Sequence, residues 1–176
     1  PDGEPIAVST LPRPVQSELP TWLTSAGTTA TFEQAGRAGH NLLTHLLGQS
    51  IEQLAANVEV YRRAWREAGH PGDGHVTLML HTHLDPDGAA ARARAEGPMR
   101  AYLSSATGLI KNMASAFPTF ANAGADADEA FRSLSPEEMD QLLTMATERY
   151  METSGLFGTP EDAASLAVAV AEAGAD

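Results

Sequence analysis

Hydroxyl residues and a glycine follow a short apolar segment near the start of the chain, an arrangement typical of phosphate binding. Residues 21–23 predict a short buried strand, and residues 28–39 predict a helix. At such a junction, free backbone N–H groups and the positive end of the helix dipole stabilise an anion. We therefore expect a phosphate-bearing cofactor at Thr24, Ser25, Ala26, Gly27 and Thr28. Alternatively, Ser25 and Thr28 only cap the helix, and one geometry can serve both purposes.

A His-x-His pattern lies at the end of the third predicted strand, and such a pattern can bind a metal ion. Alternate residues of a strand point to the same face, so His81 and His83 could share one ion, and Asp85 continues the spacing. This pattern would support a metal-dependent hydrolase. However, no histidine follows His83, so later strands would have to supply carboxylates. The hydrolase is therefore the weaker alternative, and we assign no metal ligands.

The composition excludes several classes of protein. The 176 residues contain no cysteine, which rules out disulfides and thiolate metal sites. The net charge is −12 and Lys111 is the only lysine, so the surface disfavours nucleic acid and anionic membranes. No apolar run approaches the roughly 20 residues that span a bilayer. We expect a cytoplasmic protein, and since the first residue is not methionine, we expect a piece of a longer one.

Proline, glycine and helix-capping residues divide the chain into elements. Five prolines predict an extended connector over residues 1–20. Apolar runs predict strands at residues 21–25, 40–47 and 75–84. Capping residues and apolar stripes predict helices at 28–39, 50–69, from 85 onward, from 135 onward and at 159–174. The remaining pattern predicts a mobile insertion at 112–132 and a loop at 155–158.

Strands that alternate with helices favour a parallel sheet with helices packed on its faces. Three strands leave both edges of such a sheet open, so we expect partner strands at both ends. A complete (β/α)8 barrel needs roughly 250 residues, which is more than this chain has. The predicted fold class is therefore α/β, with residues 21–176 forming the C-terminal portion of a (β/α)8 TIM barrel.

Five segments of the sequence together resemble one known family. They are RPVQ at 13–16, LPTWLTSAG at 19–27, NLLTHLLGQS at 41–50, VTLMLHT at 76–82 and ETSGLFGTPED at 152–162. These segments are similar to those of bacterial-luciferase-like monooxygenases that use reduced FMN. The resemblance is greatest to the subgroup found in polyketide and nonribosomal-peptide biosynthesis. It extends over nearly the whole chain, and the joint occurrence is specific although no single segment is.

The resemblance implies a barrel in which the three predicted strands are the fifth, sixth and seventh. Residues 89–151 would form a helical insertion before the eighth strand, and the first four strands and the eighth would be absent from this chain. The complete protein would then be about twice as long. Its partners would be the missing N-terminal half of the barrel, a flavin reductase and a carrier protein that presents the substrate.

The same resemblance implies roles at the carboxyl ends of the strands, where such barrels place their active sites. His45 and His81 would be the catalytic residues and would hydrogen-bond the flavin, and Thr44 would supply a smaller donor. The loop with Gly155, Phe157 and Gly158 would close over the phosphate end of the cofactor. FMN in its reduced form and O2 would be consumed, and an acyl or aminoacyl group would be hydroxylated on carbon or nitrogen.

Other interpretations of the same residues stay open. Each histidine can be a satisfied, half-buried side chain without a catalytic role. The loop at 155–158 can be a plain entry into the helix that follows it. The whole segment can be a non-catalytic barrel remnant that serves as a structural or docking module in a megasynthase.

Overall fold

Five strands and five helices make up the part of the chain that the structure describes. The structure is a computed structural model of the 176-residue chain, and it describes residues 8–9, 11–105 and 132–176. In chain order the elements are β1 (Trp22–Thr24), α1 (Thr29–Ala38), β2 (Asn41–His45), α2 (Ile51–Glu67), β3 (Val76–Met79), β4 (Thr82–Leu84), α3 (Gly88–Ser105), α4 (Pro136–Thr153), β5 (Leu156–Gly158) and α5 (Pro160–Glu172). Apart from Arg132, the mobile insertion predicted at 112–132 lies outside the described residues.

The strands form two parallel sheets. In the first sheet the order is β1-β2-β3, with Thr24 opposite Leu43 and His45 opposite Met79. In the second sheet β4 and β5 pair in parallel. Parallel neighbours need crossover connections, and α1 and α2 supply them in the first sheet. The α/β fold predicted from the alternation of strands and helices is therefore confirmed.

The prediction of a single strand over residues 75–84 is wrong in one respect, because the structure has two strands there. β3 ends at Met79 and β4 begins at Thr82. Between them, the His81 carbonyl accepts a hydrogen bond from the Leu156 N–H at 2.9 Å, which directs the chain from β2 towards β5. A continuous apolar run does not reveal such a break, because the new pairing partner comes from a distant part of the chain.

The prediction of a loop at residues 155–158 is also wrong, because strand β5 lies at Leu156–Gly158. A strand of three residues gives no recognisable period, and only its ladder with β4 defines it. This strand follows the helical insertion, at the position that the resemblance gives to the eighth strand. The expectation that the chain lacks a strand at that position is corrected accordingly.

Two apolar cores hold the elements together. One lies between the first sheet and helices α1 and α2, and its fully buried side chains include Phe32, Leu42, Leu54, Tyr61 and Val76. The other lies mainly between α3 and α4, and its buried side chains include Met99, Leu103, Leu142 and Tyr150. Leu46 belongs to the first core and Leu47 to the second. The segment that follows β2 is therefore anchored in both cores.

Capping boxes start three of the helices at the residues that the sequence predicts. Ser50, Ser135 and Thr159 each accept a hydrogen bond from the backbone N–H three residues later, and the side chain of that residue bonds back. In contrast, Thr28 at the N-cap of α1 makes no side-chain capping bond. The N-terminus of α1 therefore lacks the side-chain cap that α2, α4 and α5 have.

Within the described part of the chain, helices α1 and α2 cover one face of the first sheet. Along β2, Leu42 and Thr44 point towards α1 and α2 and are buried, whereas the alternate positions are half-buried. On the other face of the sheet, Trp22 is 45% exposed and Met79 is 44% exposed. We call this second face, with Trp22, Leu43, His45 and Met79, the open face.

Two expectations from composition concern the connector and the membrane. In the connector predicted at 1–20, residues 11–20 form neither helix nor strand and lie exposed, while residues 1–7 and 10 lie outside the described part. Within the described ranges, no helix has the length and apolar character needed to cross a bilayer.

Candidate functional site

The carboxyl ends of β1, β2 and β3 bring the predicted site residues to one edge of the first sheet. Ser25 directly follows β1, His45 is the last residue of β2, and His81 lies two residues beyond β3. Since the three strands are adjacent and parallel, their ends meet at the same edge. The charge of His81 contributes, after burial, to the lowered pKa of His45, in keeping with their places on adjacent parts of this edge.

The segment after β1 contains a buried hydroxyl without a partner. Ser25 is only 4% exposed, and its N–H bonds to the Leu43 carbonyl at 3.0 Å, which extends the pairing of β1 with β2. Its Oγ has no hydrogen-bond partner among the described residues. Leaving a buried polar group unpaired costs about 1–3 kcal/mol. A bound group that forms a hydrogen bond with Ser25 Oγ would therefore be stabilised at this position.

Gly27 and Thr28 complete the turn into α1. Gly27 has a φ of +96°, which residues with a Cβ rarely adopt, and a Cβ there would lie 3.4 Å from the Gln49 side chain. Thr24, Ala26 and Thr28 are exposed around it. The Thr28 hydroxyl does not cap α1 and stays available. Of the first N–H groups of the helix, that of Thr31 already donates to the Thr28 carbonyl at 2.9 Å, which leaves those before it for a ligand.

A buried polar network supports this turn from the side of the helices. The Gln49 amide nitrogen donates to the Thr44 hydroxyl at 2.9 Å and to the His45 carbonyl at 2.7 Å. Asn57 Nδ2 donates to Gln49 Oε1 at 3.3 Å and to the Gly27 carbonyl at 3.2 Å. The end of β2 and the turn before α1 are therefore held in one hydrogen-bonded unit.

Thr44 belongs to this network and does not reach the surface. It is 1% exposed, and its hydroxyl accepts the hydrogen bond from Gln49. Thr29 extends the network at the other end, where its Oγ1 donates to Asn57 Oδ1 at 2.7 Å. Thr44 can therefore affect a bound ligand only indirectly, by holding the Gln49 side chain in position.

His45 is half-buried, and one nitrogen of its ring is already bonded. Its Nδ1 accepts a hydrogen bond from the Leu47 N–H at 3.1 Å, so the neutral ring carries its proton on Nε2. Burial, and then the charge of His81, lower the pKa of His45 below its ordinary value. His45 is thus neutral over a wider pH range than an ordinary histidine.

His81 is enclosed by two tyrosines from different helices. Its Nδ1 lies 2.5 Å from the hydroxyl oxygen of Tyr150 on α4. Its ring centroid lies 4.9 Å from that of Tyr102 on α3 and 5.7 Å from that of Tyr150. Burial, and then the nearby Tyr102, raise the pKa of Tyr150 to about 12, so this hydroxyl keeps its proton at physiological pH.

The residues predicted to close over a phosphate lie on or beside β5. Gly155, Phe157 and Gly158 border a cleft of about 440 Å³ that also contains Arg92. Gly155 borders a second cleft, of about 510 Å³, whose other wall includes Gln49. Phe157 and Gly158 pair with His83 and Leu84 in the ladder with β4, so a strand lines this cleft. The predicted role of these residues at the cofactor stays a prediction.

The His-x-His pattern does not assemble a metal site within the described residues. His83 lies on β4, and its Nε2 is buried without a partner in the described part of the chain. Asp85 instead pairs with Arg94. No three His, Asp or Glu side chains in the described ranges come together as metal ligands do. The described geometry therefore adds nothing to the metal-hydrolase alternative.

Four residues of this edge were not predicted from the sequence, namely Gln49, Asn57, Tyr102 and Tyr150. Asn57 carries a usable signal, since it is a polar residue within the buried stripe of α2. Tyr150 carries none, because it lies 69 residues from His81 and has the spacing of an ordinary core residue of α4.

Several solved structures of other proteins share this fold. Monooxygenase RslO1 from Streptomyces bottropensis is 22% identical, with a TM-score of 0.52 over 93% of this chain and 40% of that one. The coenzyme F420 dependent tetrahydromethanopterin reductase from Methanopyrus kandleri is 13% identical, with a TM-score of 0.53 over 89% and 43%. The oxygenating constituent of 3,6-diketocamphane monooxygenase from Pseudomonas putida, a type II Baeyer-Villiger monooxygenase in complex with FMN, is 18% identical, with a TM-score of 0.52 over 86% and 38%. Identities this low show the fold alone.

Family membership follows from a separate comparison. The chain spans about two-fifths of the length of the three solved structures. No curated protein matches it. The model of the luciferase-like monooxygenase family, however, matches residues 3–176, which is nearly the whole chain. The chain therefore belongs to the luciferase-like monooxygenase family.

Proposed function

We propose that this chain is part of a flavin-dependent monooxygenase that uses reduced FMN and O2. The observation that carries the proposal is the buried Ser25 hydroxyl, which lacks a partner in the described structure beside the uncapped N-terminus of α1. His45 and His81 lie along the same edge of the sheet. A ligand with its phosphate at Ser25 would extend along this edge towards the two imidazoles.

The turn after β1 fits the phosphate of FMN. Hydroxyls of Ser25 and Thr28 and the first N–H groups of α1 are donors, and Gly27 presents no side chain to obstruct them. The first turn of α1 also contains no acidic residue, whereas α2, α4 and α5 each carry at least one there. Among these four helices, only α1 offers its N-terminus to an anion without a competing carboxylate.

The bound flavin would supply the oxygen-activating chemistry. The residues of this chain would hold and shield it. Ser25 and Thr28 would bind the phosphate, and the Gln49–Asn57 pair would keep the turn in place. His45 and His81 would hydrogen-bond the polar edge of the ring and help to exclude water from it.

We further propose that the remaining strands of the barrel cover the open face. The exposed Trp22 and Met79 on this face support that arrangement, as does the two-fifths share of the solved structures that the chain spans. The substrate, an acyl or aminoacyl group on a carrier protein, the separate flavin reductase and the cytoplasmic location rest on the resemblance alone. An exposed apolar face also suits a second candidate, a docking module without catalysis.

A comparison of FMN with riboflavin tests the proposed phosphate site. In the intact natural polypeptide, quenching of flavin fluorescence should show that FMN binds more tightly than riboflavin. In the double variant Ser25→Ala with Thr28→Ala, the advantage of FMN over riboflavin should fall about tenfold or more, because hydrogen bonds to a charged group contribute about 1.5–3 kcal/mol. Ser165→Ala, which removes an exposed hydroxyl from α5, should leave the ratio unchanged.

Each outcome of this titration decides between candidates. An unchanged ratio in the double variant would place the phosphate elsewhere. No binding of either flavin by the wild-type protein would favour the docking module. Tighter binding of coenzyme F420 than of FMN would identify a deazaflavin enzyme in place of the proposed monooxygenase.

A further inference from the structure

The imidazole of His81 has one hydrogen-bond partner in the described structure, and that partner comes from the helix after the insertion. The Tyr150 hydroxyl lies 2.5 Å from His81 Nδ1. Tyr150 is 4% exposed, so its hydroxyl cannot turn to solvent without exposing the second core. Such a short distance between an O–H group and a ring nitrogen is that of a direct hydrogen bond.

The direction of this hydrogen bond follows from the Tyr150 proton. A buried tyrosine hydroxyl needs an acceptor, and His81 Nδ1 is the only acceptor for it among the described contacts. If Nδ1 carried the proton of the neutral imidazole, the Tyr150 proton would be left without a partner. Tyr150 is therefore the donor, and the neutral His81 ring carries its own proton on Nε2.

The neutral ring of His45 also carries its proton on Nε2, because a backbone N–H occupies its Nδ1. The Leu47 N–H donates to its Nδ1 at 3.1 Å, and Leu47 is fixed because it is buried in the second core. Both neighbouring imidazoles therefore keep their Nδ1 lone pair occupied. Each has its Nε2–H left to offer to a ligand.

We infer that Tyr150 is a positioning residue of this site, which fixes His81 as an N–H donor to the bound flavin. On this assignment, His45 and His81 act through N–H groups and not as general bases. Such donors suit electron-rich oxygen and nitrogen atoms of the flavin ring. The identity of the ligand rests on the proposed function, whereas the hydrogen bond between Tyr150 and His81 does not.

The tautomer of His81 can be measured directly in the intact natural polypeptide. Long-range ¹H–¹⁵N spectra of protein with labelled histidine should be recorded at about pH 8, above the ordinary titration range of histidine. His81, assigned by loss of its signals in His81→Asn, should show a protonated Nε2 and an Nδ1 that accepts a hydrogen bond. In Tyr150→Phe the Nδ1 signal should move to that of a free nitrogen, and the second tautomer should appear.

Tyr102→Phe is the matched control, because Tyr102 contributes its ring but no hydrogen bond to His81 in the described structure. The His81 spectrum should stay unchanged in that variant. A protonated Nδ1 in the wild type, or an unchanged spectrum in Tyr150→Phe, would overturn the assignment. The wild-type spectrum tests the tautomer even if Tyr150→Phe fails to fold.

Flavin binding separates this inference from the proposed function. In Tyr150→Phe, which loses the positioning hydrogen bond, the affinities for FMN and for riboflavin should fall by the same factor, about threefold to tenfold. The factor should be the same because Tyr150 acts near the flavin ring and not near the phosphate. A loss confined to FMN would contradict the assignment. If the wild type shows the expected tautomer but binds no flavin, the proposed function fails and the Tyr150–His81 contact stands.

Discussion

Ser25 directly follows β1 and Thr44 lies on the neighbouring strand β2, yet only one of their buried hydroxyls has a hydrogen-bond partner in the described structure. Thr44 accepts a hydrogen bond from Gln49, whereas Ser25 Oγ has none. The network around Gln49 thus holds the turn in place without occupying the Ser25 hydroxyl. This difference between two similar residues is what makes Ser25 the better candidate for a ligand contact.

The lowered pKa of His45 predicts how stability depends on pH. Its pKa is below the ordinary value of 6.5 in the folded state because of burial and the charge of His81. As pH falls below about 6.5, the unfolded chain takes up a proton before the folded one does, so stability is lost until the folded pKa is passed. Above pH 6.5 this contribution is fully present.

The variant His45→Asn tests this prediction, since asparagine can still accept from the Leu47 N–H but does not titrate. Thermal unfolding midpoints of the intact polypeptide should be compared between about pH 5 and pH 8. The midpoint should fall less steeply on acidification in His45→Asn than in the wild type. Parallel curves for the two proteins would show that His45 is not perturbed.

Among the elements, α1 and α2 make the closest helix contact that supports the site. A Cβ added to Gly36 on α1 would meet the Tyr61 carbonyl and would lie 3.0 Å from the Ala64 Cβ and from the Trp65 nitrogen on α2. The two backbones therefore approach closely only because Gly36 has no side chain. Since Asn57 on α2 bonds to the turn before α1, this approach also positions the candidate phosphate site.

Gly36→Ala should destabilise the protein although alanine is the better helix former. Helix propensity favours alanine by about 1 kcal/mol, but overpacking at a closed contact costs about 1–3 kcal/mol or more. The free energy of unfolding from urea titrations should therefore fall. Gln34→Ala, at an exposed position of the same helix, should change it little. A gain in stability for Gly36→Ala would show that the two helices can move apart without cost.

For the whole molecule, the main feature is the contrast between the two faces of the first sheet. Helices α1 and α2 cover one face, where Leu42 and Val76 are fully buried. The open face has no such cover in the described structure, and Trp22 is 45% exposed there. A parallel sheet is ordinarily covered on both faces, so further structure is expected on this side.

The two tryptophans allow this expectation to be tested. Trp22 lies on the open face, whereas Trp65 is 8% exposed in the first core. In the 176-residue chain alone, acrylamide should quench the tryptophan fluorescence of the wild type more than that of Trp22→Phe. The reason is that Trp22→Phe retains only the buried Trp65. We propose that the remaining strands of the barrel cover this face in the natural polypeptide, and the difference between the two proteins should then shrink there. An equal difference in both would mean that nothing covers the open face.

The sequence alone determined the features that depend on local physics. Strand-to-helix alternation predicted the α/β fold, and residue pairs such as Ser135 with Glu138 predicted helix starts, because capping needs only residues three positions apart. The turn that we propose as the phosphate site is predicted from the same kind of local pattern, a strand end followed by hydroxyl residues and Gly27. Tertiary structure alone decided the break after Met79, the strand at Leu156–Gly158 and the contact of Tyr150 with His81. Each of these joins residues far apart in the chain, and only packing brings them together.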